Sequence, residues 1–499
     1  MRMIGLLTMG LTVSAAMAPS YAEGAPLKVC MVSGSFEYDS DTSLTMFKEY
    51  LDAGYNVEVT LLKATSWTEI PGLEALDTCD VALFFTRRLE VAGDALKRIQ
   101  DYCRSGRPIV ACRTASHGFQ SFLEFDKEIL GGHYDGHFGE GPTTKTVIDA
   151  GAADHPILEG VIPMKSRYSL YRNEPLAYDC TLLMRGAIPS QDGPQPVAWT
   201  REVNGGRVFY TSLGGVGDFE NNSFKRMMAN ALFWTACRDV DRKPLPAIEP
   251  RVKPEGMAKL KLRTWAKEGD AWIEKPVETE VPIAETAILI CDMWDKHWCS
   301  FASERCEEIA IRMNGVVKAA RDAGMLIIHS PSDTLGFYLD SPQRRRAQLA
   351  LPVEPKDVKT VIDLPSPISS ATNGGCPGDD VQYSAWTRQS PHIEIGPDDV
   401  ISDDGREVNN VLAQEGIKNL IVMGVHTNMC VINRTFGIKQ MTRWGLQCYL
   451  VRDLTDTMYN PVDPPQVPHD EGTELMVQHI EKLWAPSMLS EDLVQGLPK

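Results

Sequence analysis

Asn419-Leu420-Ile421-Val422-Met423-Gly424-Val425-His426-Thr427-Asn428-Met429-Cys430-Val431 is the stretch on which the reading of this chain turns. An apolar run of strand length ends at Gly424, a short turn follows, and Phe436, Ile438 and Met441 continue an apolar pattern that predicts a helix over Asn428 to Arg443. Strand, turn and helix in that order form the unit of a parallel sheet covered by helices. At a helix start the macrodipole and unpaired amides stabilise a thiolate, and the same amides can hold an oxyanion. Cys430 is therefore a candidate nucleophile.

Working outward, the same half holds strand-like runs at Thr286 to Cys291, Met325 to Ser330 and Gln447 to Asp453, with helical patterns at Cys306 to Ala323 and Glu407 to Glu415. The first of these runs is followed by Asp292-Met293-Trp294-Asp295-Lys296-His297-Trp298, which puts an acid at the carboxyl end of a strand, where open α/β sheets bind ligands. Asp292 and Cys430 are thus expected to converge on one sheet edge. The N-terminal half repeats the alternation, with strands at Lys28 to Ser33, Asp80 to Phe85, Pro108 to Cys112 and Gly206 to Leu213 before a helix at Asn222 to Cys237. The expected fold class is α/β: two tandem three-layer α/β/α domains with mainly parallel sheets, at residues 27–238 and 284–499. Residues 239–283 carry six prolines among charged residues and are expected to form a semi-rigid linker, with a short strand at Ala271-Trp272-Ile273.

Of 499 residues, 43% are hydrophobic and 23% charged, the profile of globular domains rather than of a fibre or a disordered chain. Lys+Arg 50 against Asp+Glu 67 leaves a net charge of -17, which offers no footprint for a phosphate backbone or anionic lipid, so neither nucleic acid nor membrane is an expected partner. Met1-Arg2-Met3, the apolar Ile4 to Val13 and Ser20-Tyr21-Ala22 read as a signal peptide over residues 1–22, which predicts export to the periplasm or the extracellular space. Twelve cysteines are too sparse for a stapled scaffold, and several, such as Cys30 and Cys291, sit inside apolar runs as buried thiols would.

The segment from about Glu280 to Trp484 resembles the isochorismatase-like cysteine hydrolases, which include nicotinamidases and other amidases. The resemblance rests on Asp292-Met293 and on Gly424 to Val431. It implies Asp292 as general base, Cys430 as the nucleophile on an amide carbon, a cis peptide at Val425-His426 shaping the oxyanion hole, and Asp453 as a strand-end acid. It also implies a lysine upstream of the cysteine strand, yet Thr360 to Ile417 contains none, and Asp398-Asp399-Val400-Ile401-Ser402-Asp403-Asp404 supplies acids instead. A carboxylate cannot stabilise an oxyanion or hold down a thiol's pKa. Arg388, Lys296 and Arg406 are the substitutes, and Arg388 is the expected charge-placing cation, able to orient a carboxylate though not to shuttle a proton. Trp294, His297, Val425, His426 and Thr427 are the expected substrate-lining residues. His329 and Asp333 lack the family's Asp-x-His metal spacing, so no metal and no cofactor are expected.

The segment from about Leu27 to Cys237 resembles the trehalose-utilisation-type branch of the class I glutamine-amidotransferase-like fold, through Ile109 to Phe119, Gly131 to His137 and Gly206 to Gly214. By register Arg113 takes the elbow position that is a cysteine in true amidotransferases, and Cys112 faces the core. His133 and His137 fall in a glycine-rich loop. The whole reads as an exported hydrolase that cuts a small amide or related C–N bond through a cysteine. The competing reading is a noncatalytic small-molecule or carbohydrate-binding scaffold built from two degenerate enzyme folds. A small molecule is the expected partner, and a homo-oligomer is compatible with either reading.

Overall fold

The computed structural model describes residues 24–139, 141–372 and 381–498. The segment read as a signal peptide lies outside the described residues. Among the described residues no helix is long and apolar enough to cross a membrane.

The N-terminal half builds one nine-stranded sheet from β1 (Leu27–Gly34), β2 (Val57–Lys63), β3 (Val81–Thr86), β4 (Ile109–Cys112), β5 (Thr144–Ile148), β6 (Lys165–Ser166), β7 (Thr181–Ala187), β8 (Gln195–Val203) and β9 (Gly206–Thr211), in the order β2-β1-β3-β4-β9-β8-β7-β5-β6. Pairing is parallel from β2 to β9 and antiparallel from β9 to β6. Every residue of β3 and β4 is buried, as a strand covered on both faces requires. Separate apolar cores fill the two faces, one with Phe47, Phe219 and Phe233, the other with Phe84, Phe119 and Phe125. Helices Ser40–Gly54 and Asn222–Thr235 cover the first, and helix Gly93–Arg104 covers the second.

The C-terminal half builds an eight-stranded sheet from β10 (Met257–Glu268), β11 (Ala271–Pro282), β12 (Thr286–Cys291), β13 (Leu326–Ser330), β14 (Val400–Ile401), β15 (Asn419–Val425), β16 (Gln447–Asp456) and β17 (Ser487–Met488), ordered β11-β10-β17-β16-β15-β12-β13-β14. From β17 to β14 all pairs are parallel. The chain leaves β12 toward β13 and β14, then returns to place β15 on the other side of β12, so a topological switch point lies between β12 and β15. At such a point the two outgoing loops part and leave a crevice above the strand ends. Register pairs Cys291 with Gly424, which brings the loop starting at Asp292 beside the loop starting at Val425. Gly424 has φ +120°, and a Cβ there would stand 2.0 Å from the carbonyl oxygen of Cys291, so only glycine allows this approach.

Two elements differ from the sequence reading. Much of the proline-rich linker is a hairpin, twelve residues in each arm, that extends the C-terminal sheet, leaving only the stretch up to Gly256 irregular. The cause is plain alternation: Ala258, Leu260 and Leu262 point into the core while Lys259 and Lys261 point out, and of the six prolines only Pro276 and Pro282 enter the hairpin, both on the edge strand, where proline is tolerated. The predicted helix after Cys430 is broken into Cys430–Asn433 and Ile438–Arg443. Arg434 turns extended at ψ 156°, and the chain at Thr435 packs on the start of helix Gly405–Glu415, whose Gly405 N–H donates to Thr435 Oγ1 at 3.0 Å.

Beneath β13 a buried polar cluster fixes the loop that leads into β14. Asp399 accepts from Arg321 through both oxygens (2.6 and 3.1 Å), and it contacts His329 Nε2 at 2.9 Å. His329 Nδ1 faces Gln389 Oε1 at 2.8 Å, so both ring nitrogens serve this cluster. Burial alone would raise the Asp399 pKa, but the bonds from His329 and Arg321 hold it down at about 2. A carboxyl held below its unfolded value near 3.9 contributes stability above that pH and loses it as pH falls through the folded value, about 2 kcal/mol in all. Asp399→Asn is therefore expected to cost markedly more stability at pH 6 than at pH 2, as read from urea midpoints at the two pH values.

Candidate active site

Asp292 leaves β12 at φ +46° and is fully buried. Its Oδ1 accepts the Ser332 N–H at 2.8 Å, and its Oδ2 accepts Arg434 Nε at 2.9 Å. The Cys430 thiol lies near enough to the same carboxylate for each to shift the other's pKa, and the backbone N–H of His426 acts on the sulfur. The Val425–His426 peptide is cis, at the position the resemblance implies. The structure thus brings together the acid and the thiol that the sequence placed on one sheet edge.

Arg434 is the residue the sequence reading missed. It lies one helical turn after Cys430, where the broken helix swings its side chain back over Asp292. With only four residues in that helix, the macrodipole is a minor source of positive potential. The guanidinium supplies it instead. The sequence offered only its spacing, an arginine four residues after the cysteine, and the break that aims it at Asp292 had no mark there.

Charge in this site follows from burial set against that single cation. Burial pushes the Asp292 pKa up, while Arg434 and the Ser332 amide pull it back. Burial and the Asp292 charge push the Cys430 thiol up to about 12, against Arg434 and the His426 amide. Burial opposes the Arg434 charge, but Asp292 and Cys430 outweigh it and hold the guanidinium firmly protonated. The thiol is thus held neutral, and the Arg434 cation favours the ionised form of Asp292 against the burial that opposes it. One proton moving from sulfur to carboxylate leaves the net charge unchanged, and Arg434 is the counter-charge in both states.

The cations proposed from sequence lie elsewhere. Arg388, expected to place charge at the thiol, instead pairs with Glu220 of the N-terminal half at 2.6 Å and lies over Phe337. Its segment is fixed by Asp295, which accepts from Thr387 N and Oγ1 at 2.8 and 2.5 Å and pins that loop away from Cys430. Lys296 donates to Gly141 O, and Arg406 pairs with Glu354. Asp404 caps helix Gly405–Glu415, and Asp453 caps Ser490. Asp403 accepts the Asp333 N–H at 2.8 Å and is pushed up by burial, by Asp333 and by Asp292.

Of the expected lining residues, Trp294, His297, Val425 and His426 surround a cavity of about 10 Å³, room for one water-sized guest. Trp294 stacks on Trp386 at 4.1 Å, and His297 meets His426 edge-on at 5.1 Å. Burial drives the His297 pKa down to about 3 and that of His426 to about 4, so both rings are neutral. Thr427 turns away, bonding Thr455 Oγ1 at 2.6 Å through its hydroxyl and Asp456 O through its N–H. Among the described residues no group of three His, Cys, Asp or Glu side chains could hold a metal ion.

In the N-terminal half Arg113 stands at the elbow with φ +52° and is 1% exposed. Its guanidinium donates to Ser169 O, Ser212 O and Ser169 Oγ and lies 4.2 Å from the Tyr171 ring centroid. Cys112 is sealed in the core, its thiol pKa raised by burial. His133 and His137 lie in the irregular segment after Gly131, as read from the glycines.

Residues 28–235 match the family model described as ThuA, Trehalose utilisation. No curated protein matches the sequence. Among solved structures, the chain is similar to a ThuA-like protein from Bacteroides uniformis at 17% identity, covering 44% of this chain and 95% of that one, with a TM-score of 0.34. It is similar to a cysteine hydrolase from Pseudomonas syringae pv. phaseolicola at 13% identity, covering 44% and 94%, with a TM-score of 0.29. It is also similar to an isochorismatase family protein from Burkholderia thailandensis at 16% identity, covering 43% and 96%, with a TM-score of 0.26. The chain pairs an N-terminal segment that fits the ThuA family model with a second parallel-sheet α/β domain that carries Asp292, Cys430 and Arg434 at its switch point.

Proposed function

We propose that the C-terminal half is a cysteine hydrolase that cuts a small amide or related C–N bond, in an exported protein. The observation that carries this reading is the Cys430–Asp292–Arg434 constellation: a thiol beside a buried carboxylate that a guanidinium holds at 2.9 Å. As Cys430 attacks the carbonyl carbon, its proton passes to Asp292, and the amide of Cys430, joined by that of His426 as it leaves the sulfur, receives the oxyanion. The N–H groups of Thr427 and Met429 are already committed to Asp456 O and His426 O. Collapse of the tetrahedral intermediate needs a proton on the leaving nitrogen, and protonated Asp292 gives it. Arg434 cannot give one, since a guanidinium does not deprotonate in a protein. Asp292 then takes a proton from the water that attacks the thioester and returns it to the Cys430 sulfur as the acid leaves.

Asp292→Asn keeps the shape and removes the base, so turnover in a screen of small amides is expected to fall about 100- to 10,000-fold. Turnover within threefold of wild type would defeat the reading. For the N-terminal half, a sealed elbow cation and a core-buried Cys112 favour a noncatalytic binding role.

A further inference from the structure

A cavity of about 490 Å³, the size of a small-molecule site, lies between the two halves. One wall is N-terminal and carries Lys145 and Lys165; the other is C-terminal and carries Asp333 and Asp403. The acidic wall adjoins the catalytic carboxylate: Asp333 follows Ser332, whose N–H holds Asp292, and the Asp292 charge reaches Asp403. Lys165 comes from β6, the edge strand of the N-terminal sheet. Its ammonium donates to Asp333 O at 3.4 Å and lies 4.9 Å from the Trp386 ring centroid. Trp386 stacks on Trp294, whose Nε1 donates to Ser332 O, so one run of contacts ties this lysine to the loop that holds Asp292. Among the described residues Lys165 makes no ion pair within 4.0 Å, although it is half-buried. A cation in that position is held at a cost that an incoming anion relieves.

We propose that this cavity, which borders the loop holding Asp292 although Asp292, Cys430 and Arg434 do not themselves line it, admits the substrate of the Cys430 site, and that Lys165, supplied by the N-terminal half, binds the carboxylate of a carboxylate-bearing primary amide. The assignment rests on the hydrolase reading above. The two walls suit the two ends of such a molecule: the carboxylate meets Lys165 with Lys145 behind it, and the amide N–H groups meet Asp333 and Asp403 beside Asp292. Burial lowers the Lys165 pKa to about 8, and Lys145 adds to the drop. The pull of Asp333 and Asp295 does not restore it. The first half of the chain would thus set what the second half cuts.

The test is calorimetric binding of succinamate, and of pentanamide as its neutral counterpart, to the full chain carrying Cys430→Ala, alone and combined with Lys165→Met or Lys165→Arg. Succinamate is expected to bind more tightly than pentanamide. Lys165→Met should weaken succinamate about 10-fold or more, and Lys165→Arg should keep it within about threefold, with pentanamide indifferent to both changes. Succinamate bound no tighter than pentanamide, or bound equally after Lys165→Met, overturns the proposal. Binding that depends on Lys165 in a chain with no Cys430-dependent turnover would keep the chamber and remove the hydrolase. Turnover of pentanamide through Cys430 with no effect of Lys165 would do the reverse.

Discussion

Cys430→Ala is expected to lower amide turnover by about 10,000-fold or more and to leave the fold intact. The size of the loss follows from what remains. Asp292 and Arg434 still pair, but no atom is left to form the thioester. A water molecule in the vacated space would have to attack an unactivated amide. Stability should change little, because the ion pair is untouched and only one sulfur is lost from a partly exposed position. Ammonia release measured beside thermal unfolding separates the two effects. Cys430→Ser should be nearly as poor, since Asp292 is too weak a base to ionise a hydroxyl.

Arg434→Met should be damaging in a different way. It leaves the Asp292 carboxylate buried without its counter-charge, which costs about 3–5 kcal/mol when one partner of a buried pair is removed. The protein limits that cost by protonating Asp292, whose pKa burial already raises. The sign follows directly. The base form of Asp292 is required, so a further rise moves the acid limb of kcat/KM to higher pH, and turnover at neutral pH falls about 100- to 1,000-fold. Arg434→Lys should recover part of the loss and add an alkaline limb, because a lysine loses its charge near pH 10 and an arginine does not. A pH–rate profile of the three proteins checks both limbs.

The strands were legible because parallel strands covered on both faces read as unbroken apolar runs, as in Thr286–Cys291 and Asn419–Val425. Asp292 and Cys430 were legible because each follows such a run, and strand ends at a switch point are where side chains converge. The cation was not. The hydrolases that the sequence resembles carry a lysine before the cysteine strand, and in that segment Arg388 was the expected charge-placing cation. The protein meets the same electrostatic need from the other side of the cysteine, and that depends on the helix break at Arg434, which no local propensity announces. The hairpin Met257–Pro282 was obscured by its prolines, although the alternation of Ala258, Leu260 and Leu262 with lysines was on view. The roles of Lys165 and Glu220 depend on how the two halves dock, and a linear pattern holds no trace of that.

The most direct measurement is the reaction of the full chain with p-nitrophenyl acetate, following p-nitrophenol release and locating the acetyl group by peptide mass spectrometry after an acid quench. A burst of about one equivalent is expected, with the acetyl group on the peptide that contains Cys430 and the burst lost in both Asp292→Asn and Cys430→Ala. Release with no burst, or acetyl groups spread over lysines and the exposed Cys237 while Cys430 stays free, would contradict it.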